Sequence, residues 1–254
     1  MQILCWNVNG LRALSKKGQF DWLVNTGAEI ICLQETKSEK EQLLPAIVNP
    51  PGYHSYFDHS KGRKGYSGVA TYSKIKPEKI VYEMGVETLD KEGRLIAVFY
   101  SDFVLLNVYF PNGGGGPERL KYKLDFYEAF LTYAELIRKQ NPKLIICGDV
   151  NTAHEEIDLA RPKENETRTG FLPVEREWLD EVLNHGYVDV FRYFNPGKVV
   201  YTYWDTYTFA RERNVGWRID YFFITPNLLA RVKKIDILSN VYGSDHCPIL
   251  LELK

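Results

Sequence analysis

The feature that most restricts the fold of this chain is an apolar run that stops abruptly at an acid and an amide. Residues 144–147 read LIIC and lead directly into GDVN at 148–151. A run of this length, bounded by Pro142 and Gly148, predicts a strand buried on both faces. Unpaired polar groups are costly in a core, so we expect Asp149 and Asn151 at the strand end. An ordinary turn is the alternative for the same four residues.

Three earlier apolar runs also end on a polar side chain, which favours a shared structural reason over a chance turn. Residues 3–6 end at Asn7, residues 30–33 lead through Gln34 into Glu35, and residues 104–108 end at Tyr109. Two later runs are inverted, because Asp220 precedes residues 221–224, and Asp245 and His246 precede residues 248–251. If strands that leave and enter the sheets share one edge, these side chains converge there.

The convergent set has the composition of a site for metal binding and acid–base chemistry. Its members are Asn7, Glu35, Tyr109, Asp149, Asn151, Asp220, Asp245 and His246. Glu35 and Asn7 offer hard oxygen ligands that suit Mg²⁺, or Mn²⁺ as a substitute, rather than zinc. Taken singly, the first is also explained as a surface carboxylate and the second as a turn amide.

The remaining members suit the activation of water. An acid such as Asp220 fixes the tautomer of His246 and raises its basicity, although an isolated histidine is more often structural. Asp149 could take a proton from water that Asn151 orients, and Tyr109 could donate to a developing anion. No serine or cysteine has the surroundings of a covalent nucleophile. The set indicates metal-assisted hydrolysis of a phosphate ester.

Strands and helices alternate along the chain, but several strand pairs are separated only by turns. This order favours two packed mixed β-sheets flanked by helices over a simple parallel array. No linker or low-complexity segment divides the 254 residues, so we expect one catalytic domain over 1–254. Residues 3–9 and 145–151 share a pattern of apolar residues, Cys, a polar residue, Val and Asn, which suggests a duplicated half-domain.

The compartment is predicted from what the sequence lacks. The four cysteines include no C-x-x-C pair, no apolar stretch approaches the length of a membrane span, and the first strand leaves no room for a targeting segment. We therefore expect a cytoplasmic monomer without a membrane partner. The net charge of −1 neither favours nor opposes binding to nucleic acid.

Eight motifs together resemble the exonuclease III family of abasic-site (AP) endonucleases, within the deoxyribonuclease-I-like superfamily. They are WNVNGLRA (6–13), LQETK (33–37), GYSGVA (65–70), NVYFPN (107–112), GDVN (148–151), HEEID (154–158), WRIDY (217–221) and GSDHCP (243–248). Each motif is weak alone, but the set spans nearly the whole chain in the order of the family.

The resemblance implies a four-layered α/β sandwich and an Mg²⁺-dependent DNA repair endonuclease. Such an enzyme cuts duplex DNA on the 5′ side of an abasic site and also trims blocked 3′ ends. Glu35 with Asn7 is similar to the core metal site, and Asp149, Asn151, Asp245 and His246 are candidates for a second one. The catalytic set implied is Tyr109, Asp149, Asn151, Asp220 and His246, with the division of proton transfers left open.

A further set is implied to contact DNA. Its members are Arg12, Lys37, Tyr66, Asn112, Arg119, Asn165, Arg168, Tyr203, Trp217 and Ile219. Tyr203, Trp217 and Ile219 are predicted to form a small apolar pocket for a flipped-out sugar without its base. Extruding such a nucleotide costs little free energy, because no base pair has to be broken. Two rival functions remain: a phosphodiesterase of the same fold that acts on a lipid or inositol phosphate, and a DNA-binding scaffold without catalysis.

Overall fold

Twelve strands form two sheets of six strands each in the computed structural model, which describes all 254 residues. The strands are β1 (Gln2–Asn7), β2 (Ile30–Gln34), β3 (His54–Asp58), β4 (Val69–Ser73), β5 (Lys79–Val81), β6 (Leu95–Phe99), β7 (Val104–Tyr109), β8 (Leu144–Asp149), β9 (Val188–Asp189), β10 (Asp220–Ile224), β11 (Val232–Ile237) and β12 (Ile249–Leu253). The order is β11-β12-β1-β2-β4-β3 in one sheet and β5-β6-β7-β8-β10-β9 in the other. Each sheet contains one parallel pair, β1 with β2 and β7 with β8, and is otherwise antiparallel.

Eight helices flank the two sheets. They are α1 (Leu11–Lys16), α2 (Gln19–Asn25), α3 (Pro45–Val48), α4 (Glu87–Asp90), α5 (Pro117–Gln140), α6 (Pro162–Asn165), α7 (Pro173–Asn184) and α8 (Val190–Phe194), with 3₁₀ turns at Lys40–Gln42, Glu156–Asp158 and Pro226–Arg231. No helix is long and apolar enough to cross a membrane.

The alternation of side chains along each strand produces the layers. In β1, Ile3 and Cys5 point into the apolar layer between the sheets, whereas Leu4 and Trp6 pack on the outer side with α1 and α2. The second sheet packs its outer face on α5 and α7. The prediction of two packed mixed sheets flanked by helices, a four-layered α/β sandwich, is therefore confirmed.

The repeated pattern at residues 3–9 and 145–151 has a counterpart in the topology. β1 pairs in parallel with β2 and antiparallel with β12, and β8 pairs in the same two ways with β7 and β10. The two strands also contact each other across the sandwich. Both strands end at the same edge, which brings the polar residue after each run to one place.

Candidate active site

Strand pairing brings the predicted polar side chains together. Asp149 at the end of β8 is the register partner of Tyr109 on one side and of Asp220 on the other. Gly148 allows this approach, because a Cβ there would lie 1.8 Å from the carbonyl oxygen of Val108. A larger residue at this position would push the end of β8 away from β7.

The loop after β2 holds Glu35 in an uncommon backbone conformation. Glu35 and Lys37 have φ angles of +51° and +48°, in the left-handed region that costs energy for residues other than glycine. Backbone hydrogen bonds fix the loop, including Gly10 N to Glu35 O at 2.7 Å and Lys37 N to Ser67 O at 2.8 Å. The chain thereby turns the Glu35 carboxylate back toward β8.

Asn7 joins the two sheets at this edge. Its Nδ2 donates to Glu35 Oε1 at 2.8 Å and to Asp149 Oδ2 at 2.7 Å, while its Oδ1 accepts from the backbone N–H of Asn9 at 3.0 Å. The nitrogen of Asn7 thus lies between the two carboxylates. In this arrangement Asn7 orients them, and it can act as the predicted oxygen ligand only with its amide turned over.

His246 lies between two buried carboxylates. Its Nδ1 is 2.8 Å from Oδ2 of Asp220, and its Nε2 is 3.8 Å from Oδ2 of Asp149. Burial lowers the pKa of His246, but the two acids outweigh burial and raise it to about 10. The imidazole is therefore protonated at neutral pH and serves as a fixed positive charge.

Asp149 is a buried acid whose pKa lies close to neutral pH. Burial is the largest cause that raises its pKa, to about 7, and Asp220 and Glu35 add to the rise while His246 opposes it. Its Oδ1 accepts from the backbone N–H of Asn151 at 2.8 Å. Asn112 donates to Asn151 Oδ1 at 3.1 Å, which fixes the side chain of Asn151 beside the acid.

Tyr109 is a buried proton donor on the neighbouring strand. Burial raises its pKa well above the ordinary value, with further increases from Glu35 and Asp149 and an opposing effect from Arg94. The Arg94 guanidinium lies 4.5 Å from the centre of the Tyr109 ring and donates to its carbonyl oxygen at 2.9 Å. The tyrosine is therefore held both by its strand and by a buried cation.

A cavity of about 590 Å³ opens directly above these residues. Most predicted site residues line it: Glu35, Lys37, Tyr109, Asn112, Asn151, Asn165, Arg168, Tyr203, Trp217, Ile219, Asp245 and His246. Asn7, Asp149 and Asp220 lie buried beneath its floor. One wall is apolar, because Tyr203 and Trp217 pack on a buried cluster that contains Ile219.

Tyr66 and Arg119 line a second, adjoining cavity of about 710 Å³ that shares Tyr109 and Asn112 with the first. The Tyr66 hydroxyl accepts from Arg94 at 3.1 Å and from Arg119 at 2.5 Å. This cavity continues the polar surface away from the catalytic floor. Arg12 lies exposed on α1 and lines neither cavity.

Sequence reasoning missed Asn9 and Arg94. Asn9 lines the first cavity and donates to Asp245 Oδ2 at 2.9 Å, so it connects the loops after β1 and before β12. Arg94 stands immediately before the apolar run of β6, and its position at a strand end resembles that of the predicted residues. That position was the signal that would have identified it.

A buried ion pair under the site was also missed. Lys123 Nζ donates to Glu175 Oε1 at 2.6 Å, to the carbonyl oxygen of Asn151 at 2.8 Å and to Thr152 Oγ1 at 2.8 Å. Both charged side chains are fully buried. Lys123 falls on the apolar stripe of α5, four residues before Tyr127, and a lysine in such a stripe indicates a buried partner.

The donor atoms suit a hard divalent cation. One ligand atom from each of Glu35, Asp149 and His246 lies within 4.8 Å of the others. Two of the three are carboxylates, which Mg²⁺ and Mn²⁺ prefer. The side chain of Glu35 is partly exposed to the cavity, so an ion can reach it from solvent.

Comparison with known proteins agrees with this geometry. Residues 4–246 match the Endonuclease/Exonuclease/phosphatase family. The chain is 42% identical over 253 residues to an exodeoxyribonuclease of Bacillus subtilis, covering 99% of this chain and 98% of that protein. It is 42% identical over 255 residues to the DNA repair nuclease APEX1 of Danio rerio, covering 100% of this chain and 82% of that protein. The structure of an AP endonuclease from Archaeoglobus fulgidus superposes with a TM-score of 0.89 at 30% identity, covering 100% of this chain and 99% of the other.

Proposed function

Because this chain belongs to the Endonuclease/Exonuclease/phosphatase family, as a DNA repair nuclease of the AP endonuclease and exodeoxyribonuclease group, we propose that it incises duplex DNA on the 5′ side of an abasic site. It is a metal-dependent phosphodiesterase. Blocked 3′ ends are the second proposed substrate, hydrolysed by the same residues. The chain would act as a monomer with one catalytic domain over residues 1–254.

The observation that carries the proposal is the position of the apolar wall relative to the charged floor. The rings of Tyr203 and His246 are 4.9 Å apart, so a sugar lying against the wall has its phosphate beside the catalytic groups. Trp217 and Ile219 complete the wall. A nucleotide without a base is easiest to extrude and fits such a recess, whereas an intact base pair must first be broken.

Mg²⁺, with Mn²⁺ as a substitute, is the proposed cofactor. Glu35, with Asn7 turned to present its oxygen, would hold it, and Asp149, Asn151 and Asp245 are the candidates for a second site. His246, the fourth candidate for that site, has no free nitrogen for a metal ion while its ring is protonated. When bound, the cation supplies positive charge that neutralises the phosphate oxygens.

The protein groups divide the remaining tasks. Asp149 takes a proton from the attacking water, which Asn151 orients. Nearby positive charge favours the ionised form of its carboxylate, which can accept that proton at neutral pH. His246, held by Asp220 and protonated, donates to a phosphate oxygen. Tyr109 donates to the same phosphate from the neighbouring strand. Water adds across the bond between phosphorus and O3′, which leaves a 3′ hydroxyl and a 5′ phosphate.

The remaining predicted residues bind the DNA outside the reacting bond. Lys37, Asn112, Asn165 and Arg168 line the first cavity, Tyr66 and Arg119 the second, and Arg12 lies on the exposed face of α1. Contacts of this kind with phosphates position the duplex without reading its sequence.

A duplex that carries one tetrahydrofuran abasic analogue tests the proposal. Wild-type protein with Mg²⁺ should cut it once, directly 5′ of the analogue, and the new end should be extendable by a DNA polymerase. The matched intact duplex should remain uncut under the same conditions. Failure to cut, combined with release of phosphate from a soluble inositol phosphate, would instead support the rival phosphodiesterase.

A further inference from the structure

Asn151, the residue proposed to orient the attacking water, has a strained backbone. Its φ angle is +57°, in the left-handed region that costs energy for residues other than glycine. Its N–H donates to Asp149 Oδ1 at 2.8 Å, and its Nδ2 donates to the carbonyl oxygen of Phe110 at 2.9 Å. Its own carbonyl oxygen is held from a distant part of the chain, because Lys123 Nζ on α5 donates to it at 2.8 Å.

Lys123 is fixed beside that carbonyl oxygen, because all three hydrogens of its ammonium group are used. Besides Asn151, they bond to Thr152 Oγ1 at 2.8 Å and to Glu175 Oε1 at 2.6 Å. Neither charged side chain of this ion pair is exposed to solvent. A charge in such a position is costly unless its partner is present, so Glu175 determines where the ammonium group lies.

Glu175 also fixes the loop that forms a neighbouring side of the cavity. Its Oε1 accepts from Thr169 Oγ1 at 2.7 Å, and its Oε2 accepts from the backbone N–H groups of Gly170 and Leu172 at 2.6 and 3.0 Å. Gly170 packs directly on Asn151, since a Cβ at this glycine would lie 3.4 Å from the Asn151 carbonyl oxygen. The ion pair therefore joins this loop to the loop after β8.

Stability alone is a weak explanation for a buried ion pair at this position. Replacing such a pair by uncharged side chains of similar size is often neutral for the free energy of unfolding, or even stabilising. The pair is also too deep to contact DNA, because both side chains are fully buried. What distinguishes it is a hydrogen bond to the carbonyl oxygen of Asn151, a residue that lines the cavity beside the reacting groups.

We propose that Lys123 and Glu175 are positioning residues for the reaction. Lys123 holds the Asn151 backbone in its left-handed conformation, so that the side-chain amide stays beside Asp149 and is directed at the attacking water. Glu175 keeps the ammonium group in place. The pair should therefore affect the rate of hydrolysis and not the affinity for DNA. The inference rests on the proposed function, because it takes from there the role of Asn151 in orienting water.

The test removes the contact with Asn151 without leaving an unpaired charge. Lys123→Met alone leaves the Glu175 carboxylate buried without a cation, so the main variant combines Lys123→Met with Glu175→Gln. The glutamine oxygen can still accept from the two backbone N–H groups, and its amide can donate to Thr169 Oγ1, which preserves the neighbouring loop. Lys123→Met is measured in parallel as a second variant, and circular dichroism checks that each protein is folded.

Single-turnover incision of the tetrahydrofuran duplex in Mg²⁺ measures the rate, and fluorescence anisotropy measures binding. The double variant should cut about 10- to 100-fold more slowly than the wild type, the range expected when a reacting group is slightly displaced. Its dissociation constant should stay within about 2-fold of the wild type, because the lost interaction acts only on the chemical step. In an Asn151→Ala background the same two changes should slow incision by less than about 3-fold, because the residue through which they act is gone.

The matched control is Lys139→Met, the same change at an exposed position near the end of α5, which should match the wild type in rate and binding. An unchanged rate in the folded double variant would overturn the inference. So would an equal loss of rate with and without Asn151→Ala, which assigns the pair a purely structural role, or weaker binding at an unchanged rate. If the wild type itself does not cut the duplex, the proposed function is wrong as well, so the two failures are distinguishable.

Discussion

Nδ1 of His246 lies 2.8 Å from Oδ2 of Asp220, and both side chains are buried. The only hydrogen-bonding role of the acid in the protein is this contact, since its Oδ1 has no partner. The carboxylate thereby fixes which imidazole nitrogen faces the cavity and favours the charged ring.

Asp220→Asn should therefore reduce turnover while the DNA is still bound. The amide removes the negative charge that favours the imidazolium, and loss of a positioned acid–base group costs on the order of 10²–10⁴-fold in rate. Single-turnover incision of the abasic duplex measures the rate, and fluorescence anisotropy measures binding. Asp236→Asn, at a half-buried position on β11, is the control. Turnover within a few-fold of the wild type would remove Asp220 from the catalytic set.

Metal dependence is expected from Glu35. EDTA should abolish incision and Mg²⁺ should restore it, because the cation supplies positive charge that neutralises the phosphate oxygens. Glu35→Gln should need about 10- to 100-fold more Mg²⁺ for half-maximal rate. Glu118→Gln, in the exposed first turn of α5, should show the wild-type titration. Unchanged activity of the wild type in excess EDTA would contradict the metal assignment.

Substitutions of Trp217 and Arg168 should separate recognition of the abasic site from affinity for duplex DNA in general. Trp217→Ala removes the largest apolar side chain of the recess, so the preference for abasic over intact duplex should fall on the order of 10-fold. Arg168→Ala should weaken binding to both duplexes alike and lower the slope of log affinity against log salt by about 1. Competition binding at several salt concentrations measures both effects. An unchanged preference in a folded Trp217→Ala protein would place the recess elsewhere.

A buried acid outside the site should make stability depend on pH. Burial is the main cause that raises the pKa of Asp58 to about 7, and its Oδ2 has no hydrogen-bond partner. A raised pKa means that the folded state holds the proton more tightly than the unfolded state. Stability is therefore highest below the ordinary value of 3.8 and falls as the pH rises through 7.

Asp58→Asn should remove this fall. Between pH 5 and pH 8 the wild type should lose about 2–3 kcal/mol of unfolding free energy relative to the variant, measured by urea denaturation. Asp21→Asn, at an exposed position of α2, should track the wild type at both pH values. Parallel curves for the wild type and Asp58→Asn would show that the carboxyl is solvated in the folded state.

The sequence was sufficient to predict the layers of the fold and most of the polar residues at the bottom of the candidate active site. Asn7, Tyr109 and Asp149 end long apolar runs, and a buried strand can expose a polar group only where it leaves the core. Their strands then align by ordinary pairing, with Tyr109 and Asp149 in register. The local sequence pattern was therefore enough to predict the positions of these three residues.

Contacts between distant segments were beyond that reasoning. The pairing of Lys123 with Glu175 depends on how α5 packs against α7, because the two residues are 52 positions apart in the chain. The orientation of the Asn7 amide depends on two carboxylates from different sheets. Arg94 is buried against Tyr109 only because β6 and β7 form a hairpin. Such partners are fixed by the tertiary fold and not by spacing.

The most direct test of the account is single-turnover incision by Asp149→Asn, with enzyme in excess over an abasic duplex in Mg²⁺. Asn keeps the size of the side chain but cannot take a proton from water. We predict a rate lower by about 10²–10⁴-fold, with the dissociation constant for the duplex within a few-fold of the wild type and the melting temperature not reduced. A rate close to that of the wild type would contradict the assignment of Asp149 as the base and, with it, the proposed mechanism.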